Sequence, residues 1–259
     1  MTHGLSLDDP RYFDRLAQAE STHWWSDAMW RIASLWLDRA LRGKRSLNAL
    51  DVGCGTGGTL RLLRDRPEIH SAIGIEPSEF ALDHVRSEVM VRASALALPF
   101  ASCSFDIVTC FDVMQHLRED GDRIASCEIF RVLRPGGIAL IRANGRGLWP
   151  DPHADRAPYR LNELRDVIES GGLCVVRSSY VNCIPAVAAE VVGKLVGTSS
   201  TFGHPSGRGL RLTVSGRSRN LCMRVVAKAE AVAVGRFGAR LPVGHSTMIL
   251  AVANAEGRA

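Results

Sequence analysis

One short stretch constrains this chain more than any other. Residues Ala49-Leu50-Asp51-Val52-Gly53-Cys54-Gly55-Thr56-Gly57-Gly58 end an apolar strand, turn through four glycines and open a helix. Glycine lets a backbone turn tightly and lets a ligand come close. The helix start beyond it adds partial positive charge. Gly53-x-Gly55-x-x-Gly58 also fits a dinucleotide-binding pattern, a weak match by itself. Asp51 separates two readings. A carboxylate at the strand end repels a pyrophosphate lying over the loop, and it suits a ligand that carries an ammonium group. Its alternative role is to cap the loop by accepting backbone N–H bonds.

The rest of the chain alternates strands and helices. Strands are expected at Leu47–Val52, Ser71–Ile75, Val91–Ala93, Phe105–Cys110, Ile138–Ala143, Leu173–Val181 and Thr247–Asn254. Helices are expected at residues 10–42, Thr59–Arg66, Pro77–Val89, Asp112–Leu133 and Leu161–Ser170. Such alternation implies an α/β fold with a mostly parallel sheet covered on both faces. Between the last two strands, residues 183–243 carry two amphipathic patterns. One runs through Ile184, Val187, Val191, Val192, Leu195 and Val196, the other through Leu221, Val225, Ala229, Val232 and Ala233. A Gly/Ser/Arg-rich stretch, 197–218, joins them.

Glu76 closes the second strand in Gly74-Ile75-Glu76-Pro77-Ser78. An acid about 20 residues past a glycine loop can accept both hydroxyls of a ribose. It indicates an adenosine-type ligand without choosing the cofactor.

Composition narrows the partners. The net charge is +5, and Lys44, Lys194 and Lys228 are the only lysines among 32 basic residues. Arginines alternate with acids along most of the chain, with no basic stripe of the kind a nucleic-acid binder shows. Arg208, Arg211, Arg217, Arg219 and Arg224 form the one local excess, read as a solvated loop or a face for an anionic partner. The seven cysteines are scattered and have no metal-ligand spacing, so neither a disulfide framework nor a metal site is expected. No signal peptide or membrane span is evident, which points to a reducing cytoplasm.

Six short segments then fall in one order: Leu50–Gly57, Ile75–Ser78, Ala93–Phe100, Ser104–Val108, Val113–Leu117 and Leu133–Gly137. In that order they resemble the class I S-adenosylmethionine (SAM)-dependent methyltransferases of the small-molecule type. His23-Trp24-Trp25 and Leu241-Pro242-Val243-Gly244-His245-Ser246 resemble signatures of one branch. The resemblance implies a Rossmann-like, doubly wound, seven-stranded sheet with a helical N-terminal lid (residues 1–45). A methyltransferase domain would follow (46–259), with the helical insertion 183–243 before the last strand acting as acceptor cap or interface, including a homodimer contact.

Site roles follow by position. Asp51 and the backbone of Gly53, Cys54, Gly55 and Gly57 would hold the methionine part of SAM. Glu76, followed by Pro77, would bind the ribose. Ser94, Ala95 and Leu96 would lie by the adenine, although the family often has an acid where Ser94 stands. Phe111 would line the floor, and Trp25 would be the lid, ahead of Trp24 and Trp30. His116 is the first candidate for a base, with His23 and His153 behind it. The expected activity is methyl transfer from SAM to a small molecule, at an oxygen of a natural-product, sugar or lipid-linked intermediate. The alternatives are an RNA or protein methyltransferase, or a non-catalytic module binding SAM or a dinucleotide.

Overall fold

The structure is a computed structural model that describes residues 9–85, 89–117, 120–146, 158–185, 187 and 217–254. Seven strands form one sheet in the order β3-β2-β1-β4-β5-β7-β6. They are β1 (Leu47–Val52), β2 (Ile69–Ile75), β3 (Met90–Val91), β4 (Phe105–Phe111), β5 (Leu133–Asn144), β6 (Cys174–Val181) and β7 (Ser246–Val252). β1 through β5 pair in parallel, and β7 runs antiparallel to both β5 and β6. The order reverses at β1, between β2 and β4, and open α/β sheets bind their ligands at such a switch point.

Each face of the sheet has its own apolar layer. Ala49, Ile107, Leu140 and Leu250 face helices α2 (Trp24–Ala40), α3 (Gly58–Arg64) and α6 (Arg217–Gly235). Leu50, Val108, Ile141 and Ile249 face α4 (Gly121–Val132) and α5 (Leu161–Ser170). The alternation of neighbouring residues between the layers is the two-residue period of a strand buried on both sides.

Several boundaries differ from expectation. The single N-terminal helix is two, α1 (Pro10–Thr22) and α2, separated at His23, whose backbone is extended at φ −85°, ψ 134°. There the His23 Nδ1 accepts the Trp25 N–H at 3.2 Å, so a side-chain cap replaces the continuing helical bond. The Ser26 hydroxyl then donates to the Ala19 carbonyl at 3.0 Å, folding the two helices onto each other. The helix expected after Pro77 is a 3-10 helix over Glu79–His84. The long helix expected from Asp112 is a 3-10 turn, Met114–His116, followed by α4. Asp112 itself has φ +59°, which takes the chain out of helical geometry at the start. β5 begins at Leu133, earlier than expected, because that residue already pairs with Phe105.

The first amphipathic pattern of the insertion lies largely outside the described residues, as do Arg208 and Arg211. The second is α6, and it packs on α2. The Trp36 indole N–H reaches the Val234 carbonyl at 3.4 Å, and the Arg224 guanidinium donates to the Thr22 carbonyl at 3.1 Å. The N-terminal extension and the described helix of the insertion therefore share one layer. Among the described residues, no helix is long and apolar enough to cross a membrane.

Candidate functional site

Asp51 is on β1 with 1% of its surface exposed. Its Oδ1 accepts the Thr109 hydroxyl of β4 at 2.7 Å, the two residues being register partners across the β1–β4 pair. Its Oδ2 is buried and has no hydrogen-bond partner. Burial pushes this carboxyl up to about 7; Thr109 and Arg142 act in the opposite sense, and Glu20 and Glu76 add to the rise. An ionised carboxylate oxygen buried without a donor is costly, and a cationic donor placed against it removes the cost.

The loop after β1 is shaped by its glycines. Gly53 has φ +70°, and a Cβ there would collide with Val113, so only glycine fits. The Gly53 and Cys54 N–H groups both donate to the Ile75 carbonyl at 2.9 Å. The Cys54 side chain is buried, with its Sγ 3.3 Å from the Met90 sulfur. Gly57, at φ +80°, is the left-handed residue that starts α3. Glu76 braces the loop from below. Its Oε2 accepts the Gly55 N–H at 3.0 Å and its Oε1 the Ser78 N–H at 3.1 Å. Each oxygen keeps a second lone pair for a ligand hydroxyl. Burial raises the Glu76 carboxyl above its ordinary value, against the pull of those two N–H groups.

The remaining sequence-derived positions spread along the same sheet edge. Pro77 is exposed, and its carbonyl accepts the Arg92 Nε–H at 3.1 Å. Ser94 accepts the Leu96 N–H at 3.2 Å, within a turn where Ala95 is buried and Leu96 is exposed. Phe111 is buried at the end of β4. The Arg142 guanidinium lies 4.7 Å from the centroid of the Phe111 ring and 4.7 Å from that of the Trp25 ring. Trp25 therefore stands against Arg142 and beside Phe111. Trp24 is buried in the core, and Trp30 stands against Gly58, where its Cζ2 is 2.6 Å from the position a Cβ would take. His116 is exposed on its 3-10 turn. His23 is the helix cap, and burial lowers its imidazole to about 4. His153 lies outside the described residues.

Besides Thr109, four groups at this edge were missed by the sequence reading. Glu20 of α1 accepts the Thr56 hydroxyl at 2.5 Å and pairs with Arg61 at 3.6 Å. Leu16 of α1 comes within 3.2 Å of a Cβ built on Gly55, so α1 covers the glycine loop. Asp112 forms an ion pair with Arg142, whose Nη2 is 2.5 Å from Oδ2 and whose Nε is 3.2 Å from both carboxylate oxygens. Arg142 is 5% exposed, and its Nη1 is buried with no partner. The sequence did carry a signal for it: Arg142 is the one charged residue in the apolar strand Ile138–Ala143, and a charge in a buried strand needs a reason. Glu20 follows Phe13, Leu16 and Ala17 at helical spacing, so nothing local sets it apart. Asp112, by contrast, has no sequence pattern that announces its φ.

Across the sheet these residues form a row: Glu76 after β2, Asp51 on β1, Thr109 on β4 and Arg142 on β5. Asp112 neutralises Arg142 at one end of this row, while buried Asp51 and half-buried Glu76 have no cation paired to them among the described residues, so the centre of the edge favours a cationic ligand. Among the described residues, no group of three or more His, Cys, Asp or Glu side chains could hold a metal ion.

Comparison with known proteins bears on the fold and the family. Residues 50–141 match the family model described as a methyltransferase domain. That match and the relatives that follow support a class I SAM-dependent methyltransferase domain over this part of the chain. It is 32% identical over 135 residues to a Mycolicibacterium smegmatis protein named "Probable S-adenosylmethionine-dependent methyltransferase", covering 48% of this chain and 51% of that one. A malonyl-[acyl-carrier protein] O-methyltransferase of Enterobacter lignolyticus is 28% identical over 70% of the chain and 75% of its own length. A tRNA N(3)-methylcytidine methyltransferase of Drosophila melanogaster is 29% identical over 68% of the chain and 55% of its own length. The chain spans about half the length of the first curated relatives it matches. Among solved structures, the [4+2]-cyclase SpnF superposes with a TM-score of 0.56 at 19% identity, over 98% of this chain and 87% of that one. A likeness at that identity reports the fold and leaves the reaction to the site.

Proposed function

We propose that this protein transfers a methyl group from SAM to a small-molecule acceptor in the cytoplasm, at an oxygen atom of a natural-product, sugar or lipid-linked intermediate. The observation that carries the reading is the buried, partnerless Oδ2 of Asp51, two residues before a loop that turns through left-handed backbone at Gly53, Gly55 and Gly57. That oxygen takes the α-ammonium of the cofactor, and the backbone of Gly53 to Gly57 holds the amino-acid part. The outer lone pairs of Glu76 take the ribose hydroxyls, and the turn at Ser94, Ala95 and Leu96 borders the adenine. When bound, SAM supplies an electrophilic methyl group on a positively charged sulfur.

The chain's own contribution is placement. Phe111 and Trp25 wall the edge beyond Asp51, and α1 closes over the loop through Leu16 and Glu20. Both exclude water and fix the direction from which an acceptor approaches. A proton must be removed only from an acceptor that cannot react with it in place. In that case His116 must turn inward from its exposed turn, whereas Asp112 already lies at the end of β4 beside Arg142. The exposed side of α6, with Leu221 and Val225, is where a homodimer contact would form.

The test uses methyl-labelled SAM with three acceptor pools: a small-molecule extract, bulk tRNA and total protein. Label is expected in the small-molecule pool, with one equivalent of S-adenosylhomocysteine (SAH) formed. Label in tRNA or protein alone would overturn the acceptor class, and SAH-independent chemistry would overturn the reaction.

A further inference from the structure

Arg142 has an unfilled edge. Its side chain is 6% exposed, and the Asp112 carboxylate occupies Nε and Nη2. The rings of Trp25 and Phe111 pack on the guanidinium at 4.7 Å each. What remains is Nη1, buried and without a partner. A guanidinium fork is built for oxyanions, and two of its N–H donors left dry are costly. The placement says which molecule fills them. Glu76, Asp51, Thr109 and Arg142 follow one another across β2, β1, β4 and β5. Arg142 pairs in register with Phe111, two residues nearer the strand ends than Thr109. With strands about 4.8 Å apart and about 3.3 Å per residue, its Cα is about 12 Å from that of Asp51. A nucleoside at the Glu76 end and an ammonium on Asp51 leave Arg142 beyond the cofactor, where the acceptor sits.

We propose that the open Nη1 edge of Arg142 anchors an oxyanion of the acceptor, a carboxylate or a phosphate, and so selects anionic acceptors. Asp112 neutralises the opposite edge and holds the guanidinium in place, so the anchor is pre-oriented between Trp25 and Phe111. The proposal rests on the methyltransferase reading. It adds the substrate's charge and the residue that reads it.

The experiment is calorimetric titration of the SAH-loaded protein with benzoate, phenyl phosphate and the neutral benzamide. At least one anion is expected to bind tenfold or more tighter than benzamide. Benzoate alone would mark a carboxylate acceptor, and phenyl phosphate alone a phosphate ester. Arg142→Gln is expected to bring the anion down to the benzamide level while the SAH Kd changes by less than threefold. Because that variant strands Asp112, the double variant Asp112→Asn/Arg142→Gln serves if the single one does not fold. It removes the buried pair together, with the same loss expected. Equal binding of anions and benzamide by the wild type overturns the proposal, and so does a variant that keeps the anion preference. A tenfold loss of SAH in Arg142→Gln with the preference intact also overturns it, since Arg142 would then hold the cofactor's own carboxylate. Failure of the wild type to bind SAH at all is a different result, and sinks the methyltransferase reading itself.

Discussion

The Thr109 hydroxyl donates to one oxygen of Asp51 at 2.7 Å and leaves the other oxygen buried and open. This half-satisfied carboxylate is oriented before any ligand arrives, because β1 and β4 hold the two residues in register. Removing the hydroxyl removes that orientation and strands a second oxygen. Thr109→Val is therefore expected to cost about 1–3 kcal/mol of stability, the penalty of an unsatisfied buried group. It should weaken SAH binding about fivefold, read by thermal melts and titration calorimetry on the same preparation.

The same carboxyl sets a pH dependence. Asp51 is held up to about 7 in the folded protein, against an ordinary value of 3.8. Between those values the folded protein keeps a proton that the unfolded chain has lost. The stability linked to this group is thus fully present below the unfolded value and falls as pH rises toward 7. An ammonium prefers the ionised carboxylate, so SAH affinity should rise from pH 6 to pH 8, with proton uptake by buffer on binding. A flat Kd over that range, with no buffer-dependent heat, would contradict it.

His23 illustrates a residue whose type suggests chemistry and whose position gives structure. Its Nδ1 accepts the Trp25 N–H, and burial holds the imidazole neutral, down to about 4. His23→Ala is expected to lower stability by about 1 kcal/mol, as loss of a helix cap does. It should also loosen Trp25 over Arg142, raising the KM for acceptor more than that for SAM. Steady-state kinetics with each substrate varied in turn separates the two.

His116 tests the need for a base at that position. The side chain is exposed on a 3-10 turn, so His116→Ala is expected to lower kcat less than tenfold and to leave the acidic limb of the pH–rate profile, where a base gains its proton, unchanged. A hundredfold loss with that limb removed would show that the imidazole turns inward to act.

Long-range order along the chain was legible because strand runs, glycines and prolines are local signals. The seven strands, the glycine loop and Glu76 at a strand end all came from such patterns. What escaped was set by contacts between distant segments. The break at His23 depends on a side chain capping its own helix. The loss of helix at Asp112 depends on a left-handed residue with no glycine to mark it. Glu20 reads as one more residue on an amphipathic face until α1 is seen lying over Thr56. Arg142 was visible as an anomaly in an apolar strand, and only the fold supplies its partners Asp112, Trp25 and Phe111. The packing of α6 on α2 joins residues about two hundred positions apart, beyond any periodicity.

The central claim is that Asp51 makes this glycine loop a site for an ammonium-bearing cofactor rather than for a dinucleotide. Titration calorimetry with SAH and with NADH, on the wild type and on Asp51→Asn, tests it directly. SAH should bind the wild type with no measurable heat from NADH, and Asp51→Asn should weaken SAH about 10–100-fold, the loss of one charge-assisted bond. Tight NADH binding without any response to SAH, or an unchanged SAH Kd in Asp51→Asn, would contradict the account.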